Sequence, residues 1–347
     1  MKQMMKDGLN LKMNETNIRD FCSEFLSRSS RYSDKYSDSK SIKLGSRSVR
    51  LRINTSSYFG ELINNAFLKS DANNFDFELQ VWDSSFPEDL PDTSFAEEYI
   101  TSNLPIDFEL SKPYKVLFDR GQGLIYIYDT ERNLGSVWMR DHSQVDVRCC
   151  VAPFRVILSW MANNFEAEII HASATEINGK GVLVSGPSGS GKSSLALYSG
   201  MNGGYVLSDD AVLIEGLKAY AIYSRAKIAK VNPVLDVSSL KTFELKNSKD
   251  GKIILPLNEL KDSFIHEMEY NAIVFPEIVH MTHIERVSSL IGYKYFVAQS
   301  LRELFGGDSN NLERHSKLLT QTPNFRMALS GNLGKDFECL VKQIRVL

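Results

Sequence analysis

The chain has 347 residues, of which 43% are hydrophobic and 24% are charged, and its formal net charge is −3 at pH 7. This is the composition of a globular protein with a substantial core, and the length is typical of two domains. A charge so close to zero gives no overall attraction to nucleic acid or to an anionic membrane surface, so neither is predicted as a partner.

Several features together predict a cytoplasmic protein. No stretch approaches the ~18 consecutive apolar residues that a membrane-spanning helix needs, and the N-terminal residues lack the apolar core of a secretory signal. None of the four cysteines has the C-x-x-C spacing of a zinc or redox site. Unpaired thiols of this kind are typical of proteins in a reducing compartment.

The first 47 residues predict a polar lead-in, a short helix and a flexible linker. Four apolar residues recur at helical spacing, which predicts an amphipathic helix within residues 1–30. They are Ile18, Phe21, Cys22 and Phe25. Residues 27–48 are rich in serine and in charges of both signs, and this composition is typical of a solvated linker.

Residues 48–150 predict a β-rich N-terminal domain. Apolar and polar residues alternate at period two in 48–54 and in 75–83, as in half-buried strands. Residues 114–129 have the pattern of a hairpin whose turn contains two glycines, and 137–141 would supply another strand. Short strands with close turns predict a small antiparallel sheet.

Residues 151–347 predict a second domain of α/β class. A helix at 153–164 is followed by alternating strands and helices, as in α/β folds. The predicted elements are a strand within 167–177, a buried strand at 179–186, a helix at 192–203 and a strand within 205–216.

A glycine-rich stretch joins the buried strand to the next helix and satisfies the pattern G-x-x-x-x-G-K-[ST]. It consists of Gly186, Pro187, Ser188, Gly189, Ser190, Gly191, Lys192 and Ser193, here called the glycine loop. Glycines allow the positive φ angles that turn backbone N–H groups toward an anion. The helix that follows directs its positive end at the same place. A lysine and a serine at the last two positions can reach phosphate oxygens and Mg²⁺.

The adjacent carboxylates Asp209 and Asp210 end the next apolar run. In α/β folds, ligands bind at the carboxyl ends of the strands. Two acidic side chains there can divide between holding Mg²⁺ and accepting the proton of an attacking hydroxyl. The alternative is an ordinary polar turn, which the nearby glycine loop makes less favoured.

These residues resemble the HPr kinase family, bacterial serine kinases whose C-terminal domain contains a phosphate-binding loop. The resemblance covers about 168–216 and includes His171-Ala172-Ser173 and the stretch 177–214, INGKGVLVSGPSGSGKSSLALYSGMNGGYVLSDDAVLI. Pro187 and Ser194 depart from the acidic residues common in the bifunctional enzymes, and their later glycine-rich segment with an arginine is not found. The loop is more similar to the HPr kinase-related proteins of bacterial biosynthetic clusters, some of which phosphorylate a serine of a peptide precursor or another hydroxyl.

The resemblance implies the roles of individual residues. Lys192 and Ser193 would bind phosphate and Mg²⁺, Asp209 and Asp210 would share the base and metal roles, and His171 would lie near the phosphates. We place Asp209, Lys192 and His171 among the catalytic residues, and Ser193 and Asp210 among the metal ligands. The sequence itself does not decide which aspartate is which. The nucleotide would contact residues 186–194.

Arg225 and Lys227 belong to a small basic cluster that follows the second strand and are candidate substrate contacts. A solvated strand edge would explain them equally well.

The sequence thus predicts an ATP- and Mg²⁺-dependent kinase that phosphorylates an acceptor hydroxyl, with a serine of a protein or peptide as the first candidate. A small-molecule hydroxyl kinase and a non-catalytic nucleotide-binding regulator are the alternatives. A GTPase is disfavoured because no N-K-x-D follows the loop. The acceptor and the oligomeric state stay open.

Overall fold

The computed structural model describes residues 15–36, 38–55, 57–84, 106–108, 113–119, 121–140, 151–229, 235–244, 251–300 and 310–347. Within these ranges the fold is mixed α/β, with three β-sheets and helices packed against them. No described helix is both long enough and apolar enough to span a membrane.

The helices are α1 (Glu15–Tyr36), α2 (Ser57–Asn64), α3 (Arg155–Asn163), α4 (Lys192–Met201), α5 (Ser289–Ser300), α6 (Asn310–Gln321) and α7 (Leu333–Ile344), with a 3-10 helix at Leu257–Ser263. The strands of the first sheet are β1 (Asp38–Leu44), β2 (Arg47–Asn54), β3 (Phe77–Asp83), β4 (Ile106–Phe108), β5 (Tyr114–Asp119), β6 (Leu124–Asp129) and β7 (Leu134–Met139). Those of the second are β8 (Glu168–Ile170), β9 (Ser173–Ile177), β10 (Lys180–Val184), β11 (Tyr205–Ser208), β12 (Val212–Glu215), β13 (Lys218–Ala221), β17 (Glu267–Ile278), β18 (His283–Val287) and β19 (Asn324–Leu329). The third contains β14 (Arg225–Ala229), β15 (Phe243–Glu244) and β16 (Lys252–Pro256).

The first sheet has the strand order β1-β2-β3-β7-β6-β5-β4. The predicted hairpin over 114–129 is confirmed as the antiparallel pair β5–β6. The prediction of a purely antiparallel sheet is wrong, because β3 is parallel to both β2 and β7. Helix α2 lies in the connection from β2 to β3, and a connection that carries a helix returns the chain so that the next strand can run parallel.

Helix α1 corrects the prediction of a flexible linker over 27–48. The helix continues to Tyr36, and β1 then pairs with β2 along its whole length. The serines that suggested a loop make buried contacts: Ser29 Oγ lies 2.7 Å from Ser136 Oγ, which also accepts a hydrogen bond from Trp82. Small polar side chains here let the helix approach the sheet closely. The predicted lead-in over residues 1–14 lies outside the described residues.

Apolar clusters cover both faces of the first sheet. On one face, Phe21, Phe25 and other residues of α1 pack against Trp82 and Trp138. On the other, α3 packs against the sheet and shares its cluster with Leu213 and Tyr223 of the second half of the chain. Strands β6 and β7 are therefore buried throughout, as expected for strands covered on both faces. The division into two domains near residue 150 stays a prediction.

The second sheet has the central order β11-β9-β10-β17-β13-β12-β8, with β19 pairing with β17, and β18 with β19. Strand β10 is parallel to β17, and β17 is parallel to β19. The sequence predicted one strand within 167–177 and one within 205–216. The structure divides each of them in two, so that β9 pairs with β11 near β10, while β8 pairs with β12 on the far side of β13. Both divisions fall at the residues that form the candidate site.

Candidate functional site

The glycine loop connects β10 to α4, as the sequence predicted. Gly189 and Gly191 have φ angles of 83° and 98°, which other residues rarely adopt. At Gly191 a side chain is excluded as well, because a Cβ atom would lie 2.6 Å from Leu329 Cδ1. No side chain caps the N-terminus of α4, so its first N–H groups face the loop. This is the backbone arrangement that favours an anion.

Lys192 is buried beneath the loop and is 7% exposed. Its ammonium group donates to the carbonyl oxygens of Gly186 and Pro187, at 2.6 and 3.0 Å. Burial lowers the pKa of Lys192 below its ordinary value, although the carboxylates of Asp209 and Asp210 act in the opposite direction. The hydroxyl of Ser190 is also buried and has no hydrogen-bond partner among the described residues. A cationic group and an unpaired hydroxyl on one loop fit an anionic ligand.

Asp209 is buried and lies against the start of α4. Its carboxylate accepts hydrogen bonds from the Lys227 N–H at 2.9 Å and from the Ser193 hydroxyl. The Ser173 hydroxyl donates to the backbone carbonyl oxygen of Asp209 and lies 3.3 Å from the carboxylate. Burial is the main cause that raises the pKa of Asp209, and the neighbouring Asp210 raises it further. A cation beside this carboxylate would offset both effects. Ser193 and Asp209 thus present two oxygen ligands of the kind that Mg²⁺ prefers.

Asp210 faces a different set of partners. Its carboxylate forms an ion pair with Arg155 and lies 3.4 Å from His171 Nδ1. The same nitrogen lies 3.0 Å from the backbone carbonyl oxygen of Asp210; since a carbonyl only accepts, we place the proton on Nδ1. Burial alone would raise the pKa of Asp210, but Arg155, His171 and Lys227 together hold it well below its ordinary value. The carboxylate therefore stays ionised at neutral pH.

Positively charged side chains surround the two aspartates. Lys227 acts on Asp209 and Asp210, and both Lys227 and Lys252 lower the pKa of Lys192, so these groups lie within electrostatic reach of one another. Arg225 is on the same face of β14 as Lys227 but is buried, with its guanidinium 5.2 Å from the ring centre of Phe243.

The structure brings most of the predicted residues together. Lys192 and the aspartates influence one another electrostatically, Ser193 contacts Asp209, and His171 contacts Asp210. Pro187, Ser188 and Gly189 are the exposed part of the loop, and Ser194 is half-buried on α4. Sequence reasoning assigned no role to Arg155 or Ser173, and nothing in the sequence distinguishes Lys252 from a surface lysine. Arg155 lies 55 positions before Asp210, and no local pattern marks it.

In the part of the chain that the structure describes, no group of three or more His, Cys, Asp or Glu side chains could hold a metal ion. A cation at Ser193 and Asp209 would therefore need further oxygen ligands from water or from a bound phosphate. Mg²⁺ is commonly held in this way, by one or two carboxylates together with substrate phosphates.

Fold and site together define a mixed α/β protein in which a glycine loop, placed between a strand and a helix, lies near the buried Asp209 and the partly buried Asp210. Comparison with protein-family models gave no match, and comparison with curated proteins gave none either. Among solved structures, the Hpr(Ser) kinase/phosphatase from Coxiella burnetii is similar at 12% identity, with a TM-score of 0.27. The similarity covers 52% of this chain and 95% of that one. A likeness this distant carries no argument about activity, and membership of the HPr kinase family stays a hypothesis.

Proposed function

We propose that this protein is an ATP-dependent kinase that transfers the γ-phosphate to an acceptor hydroxyl, with a serine of a protein or peptide as the first candidate. The observation that supports this most is the contact between Asp209 and the Ser193 hydroxyl at the N-terminus of α4, beside the ammonium group of Lys192. A phosphate-binding backbone, a cation and a ligand pair for Mg²⁺ are the parts that phosphoryl transfer requires.

The glycine loop would bind the nucleotide through its backbone N–H groups. Lys192 now donates to two loop carbonyls and would exchange one or both of these bonds for phosphate oxygens. The buried hydroxyl of Ser190, which has no partner among the described residues, would be a further donor on the same loop. Because Arg155 and Asp210 pair with each other, the cationic side chains left to meet a ligand are Lys192, Lys227 and Lys252, against the one carboxylate of Asp209. Such an excess suits a polyanionic ligand.

Ser193 and Asp209 would hold Mg²⁺, which when bound neutralises charge on the phosphate oxygens. This differs from the sequence-based assignment, which placed Asp210 with Ser193. Asp209 is favoured because it already contacts the Ser193 hydroxyl. Asp210 is instead paired with Arg155 and His171.

Asp210 would orient the acceptor hydroxyl and accept its proton. Its side chain is 21% exposed, whereas Asp209 is buried, so Asp210 is the carboxylate that a second substrate can reach. Its depressed pKa keeps it ionised and therefore able to accept a hydrogen bond. In phosphoryl transfer, positioning and charge stabilisation supply most of the rate, so a weakly basic carboxylate is adequate.

The test combines calorimetry with transfer assays. We expect ATP binding to require Mg²⁺, and label from γ-phosphate-labelled ATP to appear on members of a serine-containing peptide library more than on a panel of small alcohols. Preference for the alcohols would favour the small-molecule kinase. Binding without any transfer would favour the regulator.

Variants separate the proposed roles. Asp209→Asn should remove most of the Mg²⁺ dependence of ATP binding, whereas Asp210→Asn should bind Mg²⁺·ATP normally and lose transfer. Arg47→Gln, which removes an exposed ion pair with Asp76 on the first sheet, is the control and should change neither. Turnover of ATP at the wild-type rate by both Lys192→Ala and Asp209→Asn would refute the proposal.

A further inference from the structure

Arg155 occupies a place that does not favour a cation. It is the first residue of α3, whose first turn contains no acidic residue. The N-terminus of a helix is the positive end of its dipole and favours anions. Phe154, immediately before it, has φ 58° and ψ 27°, a left-handed conformation that is uncommon for a bulky residue. Neither the helix dipole nor the conformation of the preceding residue favours an arginine at position 155.

The side-chain contacts of Arg155 do explain it. Its guanidinium forms the ion pair with Asp210, and the same carboxylate lies 3.4 Å from His171 Nδ1. The Arg155 and Asp210 side chains are 19% and 21% exposed, so the pair is largely removed from water. Buried ion pairs contribute little net stability, because desolvation offsets the attraction. We therefore attribute the Arg155–Asp210 pair to the positioning of the Asp210 carboxylate and not to stability.

The buried Tyr223 holds the backbone just before Arg155 through a hydrogen bond. The Tyr223 hydroxyl donates to the Pro153 carbonyl oxygen at 2.8 Å, two residues before Arg155. Tyr223 is 2% exposed and packs on Phe67 with a ring-centre distance of 5.4 Å. It also stands two residues before β14, which supplies the Lys227 N–H to Asp209. Tyr223 is thus connected to two segments: the start of α3, where Arg155 pairs with Asp210, and β14, where the Lys227 N–H donates to Asp209.

We propose that Arg155 is a positioning residue of the phosphotransfer site, which holds Asp210, and through Asp210 also His171, in the orientation that meets the acceptor hydroxyl, and that Tyr223 places Arg155. This inference rests on the proposed kinase function. The glycine loop, Lys192 and Ser193 bind the nucleotide without Arg155, so loss of the arginine affects the transfer step and leaves ATP binding intact.

The activity test compares Arg155→Ala, Arg155→Lys and Tyr223→Phe with wild type. Arg155→Ala should keep its ATP affinity within about threefold and lose about 100-fold in kcat, the effect expected when a reacting group is misplaced by about 1 Å. Added guanidinium ion should restore part of this loss. Arg155→Lys should recover little, because an ammonium group lacks the planar fork of donors. Tyr223→Phe should lower kcat by several-fold with ATP affinity unchanged.

A second arm does not depend on activity. In a double-mutant cycle of urea unfolding, Arg155→Gln and Asp210→Asn should be coupled by about tenfold in the unfolding equilibrium constant. Arg155→Gln and the distant Arg47→Gln should be additive. Absence of coupling overturns the inference, as does a wild-type kcat in Arg155→Ala or an ATP affinity that falls as far as kcat. If wild-type protein transfers no phosphate while the coupling is present, the kinase proposal fails and the placement of Asp210 by Arg155 stands.

Discussion

Gly191 and Gly189 provide a matched pair of substitutions in the glycine loop. Both have positive φ, 98° and 83°, so an alanine at either position strains the backbone by about 1–2 kcal/mol. They differ in the space that a Cβ atom would meet. At Gly191 it would lie 2.6 Å from Leu329 Cδ1, whereas at Gly189 nothing lies within 4 Å. Leu329 is 3% exposed on β19 and has little room to move.

From these contacts we expect Gly191→Ala to destabilise the protein more than Gly189→Ala does. Overpacking in a filled core costs about 1–3 kcal/mol, which adds to the backbone strain and gives a total of about 2–5 kcal/mol at Gly191. Gly189→Ala should cost about 1–2 kcal/mol, from strain alone. Both variants should bind ATP more weakly, because both disturb the N–H groups of the loop.

Urea unfolding, followed by circular dichroism at equal protein concentration, measures the difference. Unchanged m-values would show that the denatured state is unaffected, so that the shift in midpoint reports the native state. Truncation of the neighbour, Leu329→Val, should make Gly191→Ala less costly than it is in the wild-type background. Equal losses at the two glycines, or a Gly191→Ala cost unaffected by Leu329→Val, would refute the steric reasoning.

Three further outcomes are expected. Lys192→Ala should weaken ATP binding by at least about tenfold and abolish turnover while the protein stays folded, since the hydrogen bonds that the ammonium group makes among the described residues go to two carbonyls of the loop itself; calorimetry and far-UV circular dichroism check this. Gly135→Ala should destabilise the protein by about 1–3 kcal/mol without changing ATP affinity, because a Cβ atom would lie 2.7 Å from both Ile157 and Met161 of α3; equal midpoints in urea would contradict it. Cys22 should resist alkylation in the native state at pH 8, because burial raises its pKa to about 12 and the thiolate is the reactive form; rapid modification, measured by peptide mass spectrometry, would contradict it.

Features encoded by neighbouring residues could be predicted from the sequence. The glycine loop needs particular residue types within eight positions, and it lies between a strand and a helix as expected. The β5–β6 hairpin was predicted for the same reason, because its register depends on one short turn. The parallel pairing of β3 with β2 and β7 was not predicted, since a long connection leaves no local pattern that fixes strand direction.

Composition misled the prediction for residues 27–48. Serines and mixed charges are typical of linkers, but they also suit a helix that packs closely on a sheet and carries ion pairs at its edge. Ser29 makes the buried contact with Ser136, and Arg52 of β2 pairs with Asp34 at 2.7 Å. Whether such a segment is a linker or a packed helix depends on its tertiary contacts. For Ser29 the contacting residue, Ser136, lies 107 positions away in the sequence.

The candidate site arises where two predicted strands divide at the same level of the second sheet. If residues 167–177 formed one continuous strand, the side chains of His171 and Ser173 would point to the same face of the sheet and lie beside the same neighbouring strand. Instead the chain passes from β8 to β9 and from β11 to β12, and Ser173 contacts Asp209 while His171 contacts Asp210. The two aspartates are adjacent in sequence but face different partners, one toward Ser193 and the other toward Arg155. Sequence therefore identifies the pair, whereas the proposed division into a metal ligand and a hydroxyl-orienting base rests on where each strand ends.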